Sequence, residues 1–378
     1  MEGGVRKRGS SWYYYFEAGK IDGKRKKIER KGGSTKKEAL EALRKALNEF
    51  NNCGSIVSES NMSFSDYMDY WFNEYVTINC KYNTQQCYDI LIKKHIKPHL
   101  GIYKIKQLNY TILQQFLNSK FKNGYSKSTL NRLKSILSTS LKMAVSNYDL
   151  IKVNPAQNLK IPSYGNKNKE QVKTLTLKQY NTILKRFPFG NNFHMALQIA
   201  FNTGMRCSEV CGLTWDRVDL ENKKITVDRI LIWKQKAGYV FETPKTKTSY
   251  RTISIGDTLV NMLKKNKEWQ NKNRQEYGQY YTENNFVCTK ENGTAVTPTT
   301  IRYLSRIVNL DLGIEFSFHS LRHTHATLLL ENGSNIKEIQ QRLGHSKIST
   351  TLDTYSHVTK KMIDNTVNIL EDINSKLI

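Results

Sequence analysis

Two polar, turn-rich stretches constrain this chain more than any other feature: residues 51–61 (NNCGSIVSESN) and residues 165–173 (GNKNKEQVK), the latter just after Pro155 and Pro162. Neither carries a helical or strand period, and both are rich in residues that favour turns and exposed backbone. They divide the 378 residues into three segments, each of which must bury its own apolar stripe. The length itself suits two or three domains.

Residues 1–55 read as strands followed by a helix. Residues 11–17 (SWYYYFE) are aromatic and strand-prone, Asp22-Gly23 signals a hairpin, and the lysine- and arginine-rich 24–31 gives the return strand. Thr35 and Glu38 form a capping box, and Leu40, Leu43, Leu47 and Phe50 repeat at helical spacing. Alternation puts Trp12, Tyr14 and Phe16 on one face of the strand and Tyr13 and Tyr15 on the other, so both faces cannot be core.

Residues 62–160 predict a four-helix bundle, with apolar repeats over 64–75, 84–95, 110–122 and 128–148 separated by Pro98, Gly101 and Gly124. The third segment, 170–378, predicts mainly helices. Thr176 and Gln179 cap one, residues 193–201 form another, and Thr297-Pro298 opens a further one. Residues 224–228, 239–242 and 251–255 are expected as one small antiparallel sheet.

Fifty-nine Lys and Arg against 33 Asp and Glu give a formal charge of +26, which points to a polyanionic partner such as nucleic acid. Charge does not say which act is performed on it. The six cysteines include no CxxC pair, so reduced thiols are expected and no metal site. No stretch approaches the apolar length of a membrane span, and the first residues have no apolar signal core, which predicts a protein neither exported nor membrane-inserted.

The chemistry lies in an ordered set of cationic and imidazole side chains ending in a tyrosine. These are Arg206 in TGMRCSE, Lys245 in TPKTKTSYRTI, His319 and Arg322 in HSLRHTH, His345 in LGHS and Tyr355 in LDTYSHV. A tyrosine hydroxyl with an ordinary pKa near ~10 is a poor nucleophile at neutral pH, so it needs a base and strong neutralisation of the phosphorane charge. Two arginines supply that neutralisation bidentately, as a lysine cannot. His319 and Arg322, three apart, share one helical face.

In this order, and with ten residues from His345 to Tyr355, the set resembles the tyrosine recombinase (phage integrase) family over roughly residues 175–360. The resemblance is to integrases of Gram-positive conjugative transposons and temperate phages. It implies that Arg206 and Arg322 hold the scissile phosphate, that Glu209 orients the site, and that Lys245 protonates the leaving 5′-oxygen, with Lys247 as the competitor. It further implies His345 as phosphate ligand, His319 as acid/base partner and Tyr355 as nucleophile, giving a 3′-phosphotyrosine link and no need of ATP or another cofactor.

The same resemblance makes 1–55 an arm-type DNA-binding domain, a three-stranded sheet on one helix, with Trp12, Tyr14, Lys24, Arg25 and Lys26 as contacts. It makes 62–160 a core-binding domain that uses Lys93, Lys94 and Arg132, with Lys97, Lys120, Lys122, Lys127 and Lys134 nearby. Residues 170–378 become the catalytic domain, ending in a tail helix with Ile363, Val367, Leu370, Ile373 and Leu377 on one stripe. Tail exchange in a DNA-bound homotetramer, double-stranded attachment sites (core and arm), accessory directionality or bending proteins and a cytoplasmic, nucleoid-associated location are the expectations that follow. A type IB topoisomerase-like enzyme and a non-catalytic DNA-binding protein are the alternatives, the first disfavoured by the N-terminal module and tail, the second by the intact residue set.

Overall fold

The computed structural model describes residues 3–21, 24–53, 61–162, 173–235, 237–244 and 246–346. The chain forms two compact units, Met1–Lys167 and Asn168–Ile378. Lys245, Lys247's side chain, Tyr355 and the tail stripe lie outside the described residues, as do the side chains of Lys24, Arg25 and Lys26.

At the N-terminus, β1 (Gly3–Arg8), β2 (Ser11–Ile21) and β3 (Lys24–Gly33) form an antiparallel sheet in chain order, followed by α1 (Lys36–Cys53). Thr35 and Glu38 close the expected box: Glu38 N–H donates to Thr35 Oγ1 at 3.2 Å and Thr35 N–H to Glu38 Oε2 at 3.3 Å. Tyr14 and Phe16 pack with Leu43 and Ala46 as the module's core. This corrects one expectation. Tyr14, only 7 % exposed, cannot be a DNA contact, because its ring is the hydrophobic payload that α1 covers, and Trp12, half-buried, alternates onto the same side. The opposite face carries Tyr13 and Tyr15 with cations against the rings: Lys27 Nζ lies 3.8 Å from the Tyr15 centroid and the Arg8 guanidinium 5.9 Å from that of Tyr13.

In the bundle segment, Ser63, Asn109 and Ser126 cap helices by accepting from the N–H groups of Asp66, Ile112 and Thr129. Tyr67, Trp71, Ile92, Ile96, Leu117, Leu137 and neighbours fill the core. Pro98 does not end the second helix as expected. A π turn at Ile92–Ile96 precedes it, and the helix continues through Lys97–Leu100; the wider turn changes the bonding register just ahead of a residue that lacks an N–H. Lys120 is also displaced from its expected place on the surface. It is 4 % exposed, with Nζ 3.2 Å from His99 Nε2. Lys93, Lys94 and Arg132 remain exposed.

In the second unit, Thr176 and Gln179 form the expected capping box for the helix Leu177–Arg186, and Thr297 caps Pro298–Asp311. The helix His194–Thr203 is buried along most of its length and runs through the core. The expected single sheet is two. Val218–Asp219, Lys224–Val227 and Arg251–Ser254 make one, whereas Gly238–Glu242 pairs with Ile230–Lys234 as a separate hairpin. A short connection with Gly238 at φ 73° makes pairing with its sequence neighbour the local solution.

Gly204 fixes how this unit closes. It ends the His194–Thr203 helix at φ 66°, and a Cβ there would meet Leu343 Cδ2 at 2.6 Å and His325 Cδ2 at 2.9 Å. Gly313 has φ 60° and open space around it. Both Gly→Ala changes should cost about 1–2 kcal/mol for left-handed backbone, and Gly204→Ala about 1–3 kcal/mol more from overpacking. In thermal unfolding of the full chain, Gly204→Ala is expected to lower the midpoint by at least about 2 °C more than Gly313→Ala; equal midpoints would contradict the packing role.

Candidate active site

The site begins where Gly204 releases the chain from one helix and Arg206 starts the next, Cys207–Cys211. Glu209, in the first turn, is 2 % exposed and turns back on this start. Its Oε2 accepts from the Arg206 backbone N–H at 2.9 Å and its Oε1 from Arg206 Nη1 at 2.7 Å. Arg251 Nη2 donates to the same Oε2 at 2.8 Å. Burial alone would raise the Glu209 pKa, yet Arg251 and Arg206 together hold it below the usual carboxylate range.

Arg322 reaches this region from the helix Phe318–Glu331, capped by Ser317. It is 1 % exposed, and its fork is oriented by two carbonyls, Gly204 O on Nη1 and Leu343 O on Nη2, each at 2.7 Å. One guanidinium therefore ties the residues just before Arg206 to those just before His345. His345 follows Gly344, whose φ of 68° ends the helix Ile336–Leu343, and its N–H donates to Gln340 O at 3.1 Å. Arg206, Glu209, His345, Pro244, Thr246 and Ser249 line a cleft of about 290 Å³.

The histidines feel the arginines. Burial, then Arg322 and Arg206, push the His345 pKa down to about 4. His319 is also pushed down to about 4, by burial first and then by His323, Arg322 and Arg206. The His319 residue as a whole remains exposed, and the cations beside it act in the same direction as burial. The structure thus gathers five of the expected residues, Arg206, Glu209, His319, Arg322 and His345, into one electrostatic neighbourhood. Lys245 and Tyr355 lie outside the described residues.

The His323 ring meets that of His319 edge-on, with centroids 4.6 Å apart, as suits an i, i+4 pair on a helix. His325 is structural: Nδ1 lies 2.8 Å from Phe201 O and so donates, which leaves Nε2 to accept from Arg342 Nε at 3.0 Å. Sequence reasoning missed Arg251 and Arg342 as parts of the site. The available signal for Arg251 was a charged residue two positions before the inward-facing Ile253 on a short strand.

The His325 arrangement requires a neutral ring, and burial followed by the Arg342 charge pushes its pKa down to about 4. An unfolded histidine titrates near ~6.5, so between these values the unfolded chain binds more protons than the folded one. The stabilisation is complete above about pH 6.5 and is lost as pH falls toward 4. His319, His323 and His345 act in the same direction. The unfolding midpoint is expected to drop across this window, and less steeply in His325→Gln, whose amide can donate to Phe201 O and accept from Arg342. An unchanged slope would contradict the tautomer assignment.

Comparison with known proteins gives this neighbourhood its context. Residues 170–362 match the phage integrase family, 63–121 its N-terminal SAM-like domain, and 5–50 an arm DNA-binding domain. The chain is 30 % identical over 357 residues to a XerC-like tyrosine recombinase of Caldanaerobacter subterraneus subsp. tengcongensis, covering 90 % of each. It is 27 % identical to the ICEBs1 integrase of Bacillus subtilis, over 90 % of this chain and 91 % of that one. Among solved structures, the Tn1549 transposon integrase in complex with transposon right end DNA superposes with a TM-score of 0.68 at 25 % identity, covering 82 % of this chain and all of that one. With a catalytic-region match spanning half the chain and a relative aligned along nearly its whole length, the chain belongs to the phage integrase family, the tyrosine-type site-specific DNA recombinases.

Proposed function

We propose that this recombinase cuts and rejoins the ends of its mobile element through a Tyr355 phosphotyrosine. Arg206 and Arg322 hold the non-bridging oxygens of the scissile phosphate while the Tyr355 hydroxyl oxygen attacks phosphorus. His319 takes the phenolic proton, Lys245 gives a proton to the departing 5′-oxygen, and His345 donates to a phosphate oxygen. The product is a 3′-phosphotyrosine ester and a free 5′-hydroxyl. A 5′-hydroxyl from the partner strand then reverses the step, so the ester conserves the bond energy and no nucleotide or metal is consumed.

The observation that carries this reading is the buried Glu209 carboxylate holding Arg206 beside Arg322, His319 and His345. Histidines kept neutral by burial and by neighbouring guanidinia are able to accept a proton, and an arriving phosphate partly offsets those charges. For DNA contact, the Tyr13–Tyr15 face of the N-terminal sheet, with Arg6, Arg8 and Lys27 at its rings, is the better candidate for arm sites. Exposed Lys93, Lys94 and Arg132 suit core sites. A lambda integrase tetramer on a Holliday junction shares the fold at a TM-score of 0.56. We take the 359–378 stripe as the segment that docks on a neighbouring protomer in an equivalent assembly.

A nicked suicide duplex carrying the joined ends of the element tests this directly. The parent should form a protein–DNA adduct on a denaturing gel in excess EDTA, Tyr355→Phe should bind and form none, and Arg206→Lys should bind yet cleave poorly, since the bidentate fork is gone. Val367 and Leu370 changed to Asp should remove the synaptic band in a native gel while single-protomer binding persists. An adduct in the Phe variant, or cleavage that requires magnesium, would sink the mechanism; synapsis by the Asp variant would sink tail docking.

A further inference from the structure

We propose, building on the reading of Arg206 as a phosphate ligand, that Arg251 is a positioning residue that sets the phosphate clamp. Its side chain is 6 % exposed, and its guanidinium bonds three separate pieces of the site. Nη2 donates to Glu209 Oε2 at 2.8 Å, Nε to Arg342 O at 2.7 Å and Nη1 to Ser249 O at 3.1 Å. These acceptors belong to the helix that starts at Arg206, to the helix end that carries His345, and to the turn that follows Lys245. A planar group with its N–H directions fixed holds such acceptors at set separations, which a single ammonium cannot do.

Gly344 shows how closely these pieces approach. A Cβ there would lie 2.8 Å from Thr248 O and 3.2 Å from Arg251 Cδ. Arg251 therefore packs under the His345 turn and braces Glu209 at Oε2, the oxygen that also accepts from the Arg206 N–H. It acts on the reaction through Glu209, whose carboxylate it shares with Arg206. Removing it leaves Glu209 free to rotate, and Arg206 loses its fixed aim at the non-bridging oxygens, a displacement that costs on the order of 100-fold in rate when it reaches ~1 Å.

A methylphosphonate at the scissile position separates positioning of the clamp from general support of the fold. Replacing one non-bridging oxygen by methyl removes its negative charge and with it much of the demand on Arg206. Single-turnover adduct formation by Arg251→Lys should fall by about 100-fold on the phosphodiester suicide duplex and by less than about 10-fold on its methylphosphonate counterpart, with DNA affinity unchanged. Arg251→Gln, measured in parallel, should show the same substrate dependence. Equal deficits on both substrates, parental rates on both, or loss of cooperative unfolding in both variants at the assay temperature would overturn the proposal. The parent separates this from the underlying mechanism: if it forms no Tyr355 adduct, the cleavage chemistry itself is wrong, whatever Arg251 does.

Discussion

The Glu209 carboxylate between Arg206 and Arg251 is the interaction on which the rest of the site depends. Taking a carboxylate out of water costs several kcal/mol unless its oxygens are met by well-aligned donors, and here two guanidinia and a backbone N–H meet them. The same carboxylate caps the first turn of the Cys207–Cys211 helix. Local helix initiation and the aim of Arg206 are thus one geometric event, and Gly204 just upstream gives the chain the left-handed turn that makes it possible.

Around this pair, the arginines do two jobs at different distances. At hydrogen-bond range they draw separate parts of the chain together: Arg322 joins Gly204 to Leu343, Arg251 joins Glu209 to Arg342 and Ser249, and Arg342 reaches Asn202 and Ser254. Farther out, burial first and then their charges lower the His319 and His345 pKa values. A site assembled from cations with, among the described residues, one buried carboxylate is poorly compensated by those residues alone. A phosphate diester supplies the missing negative charge, and the chain's +26 formal charge favours the arrival of one by releasing counterions from DNA.

What the sequence made legible follows from locality. The capping pairs Thr35/Glu38, Thr176/Gln179 and Thr297 with Pro298 fixed helix starts because their partners lie three residues apart or fewer. Five residues of the site could be named because their spacing matches a family pattern, and comparison places the chain in that family. The errors arose where tertiary packing decided among locally equal options. Strand alternation told Tyr14 from Tyr15 but could not say which face α1 would cover. Lys120 looked like any surface lysine until Phe116, Tyr125 and His99 enclosed it. Arg251 carried only a faint local mark, a charge two residues from Ile253 on a short strand, since two of its three acceptors lie 42 and 91 residues away in sequence.

The central claim, that a buried carboxylate aims the phosphate-binding arginine, is tested most directly by Glu209→Gln. The amide keeps the shape and one acceptor oxygen but loses the charge that holds two guanidinia. Measured as single-turnover adduct formation on the nicked suicide duplex, the folded variant should bind DNA like the parent and cleave about 100-fold more slowly. Cleavage at the parental rate by a folded Gln variant would contradict the account.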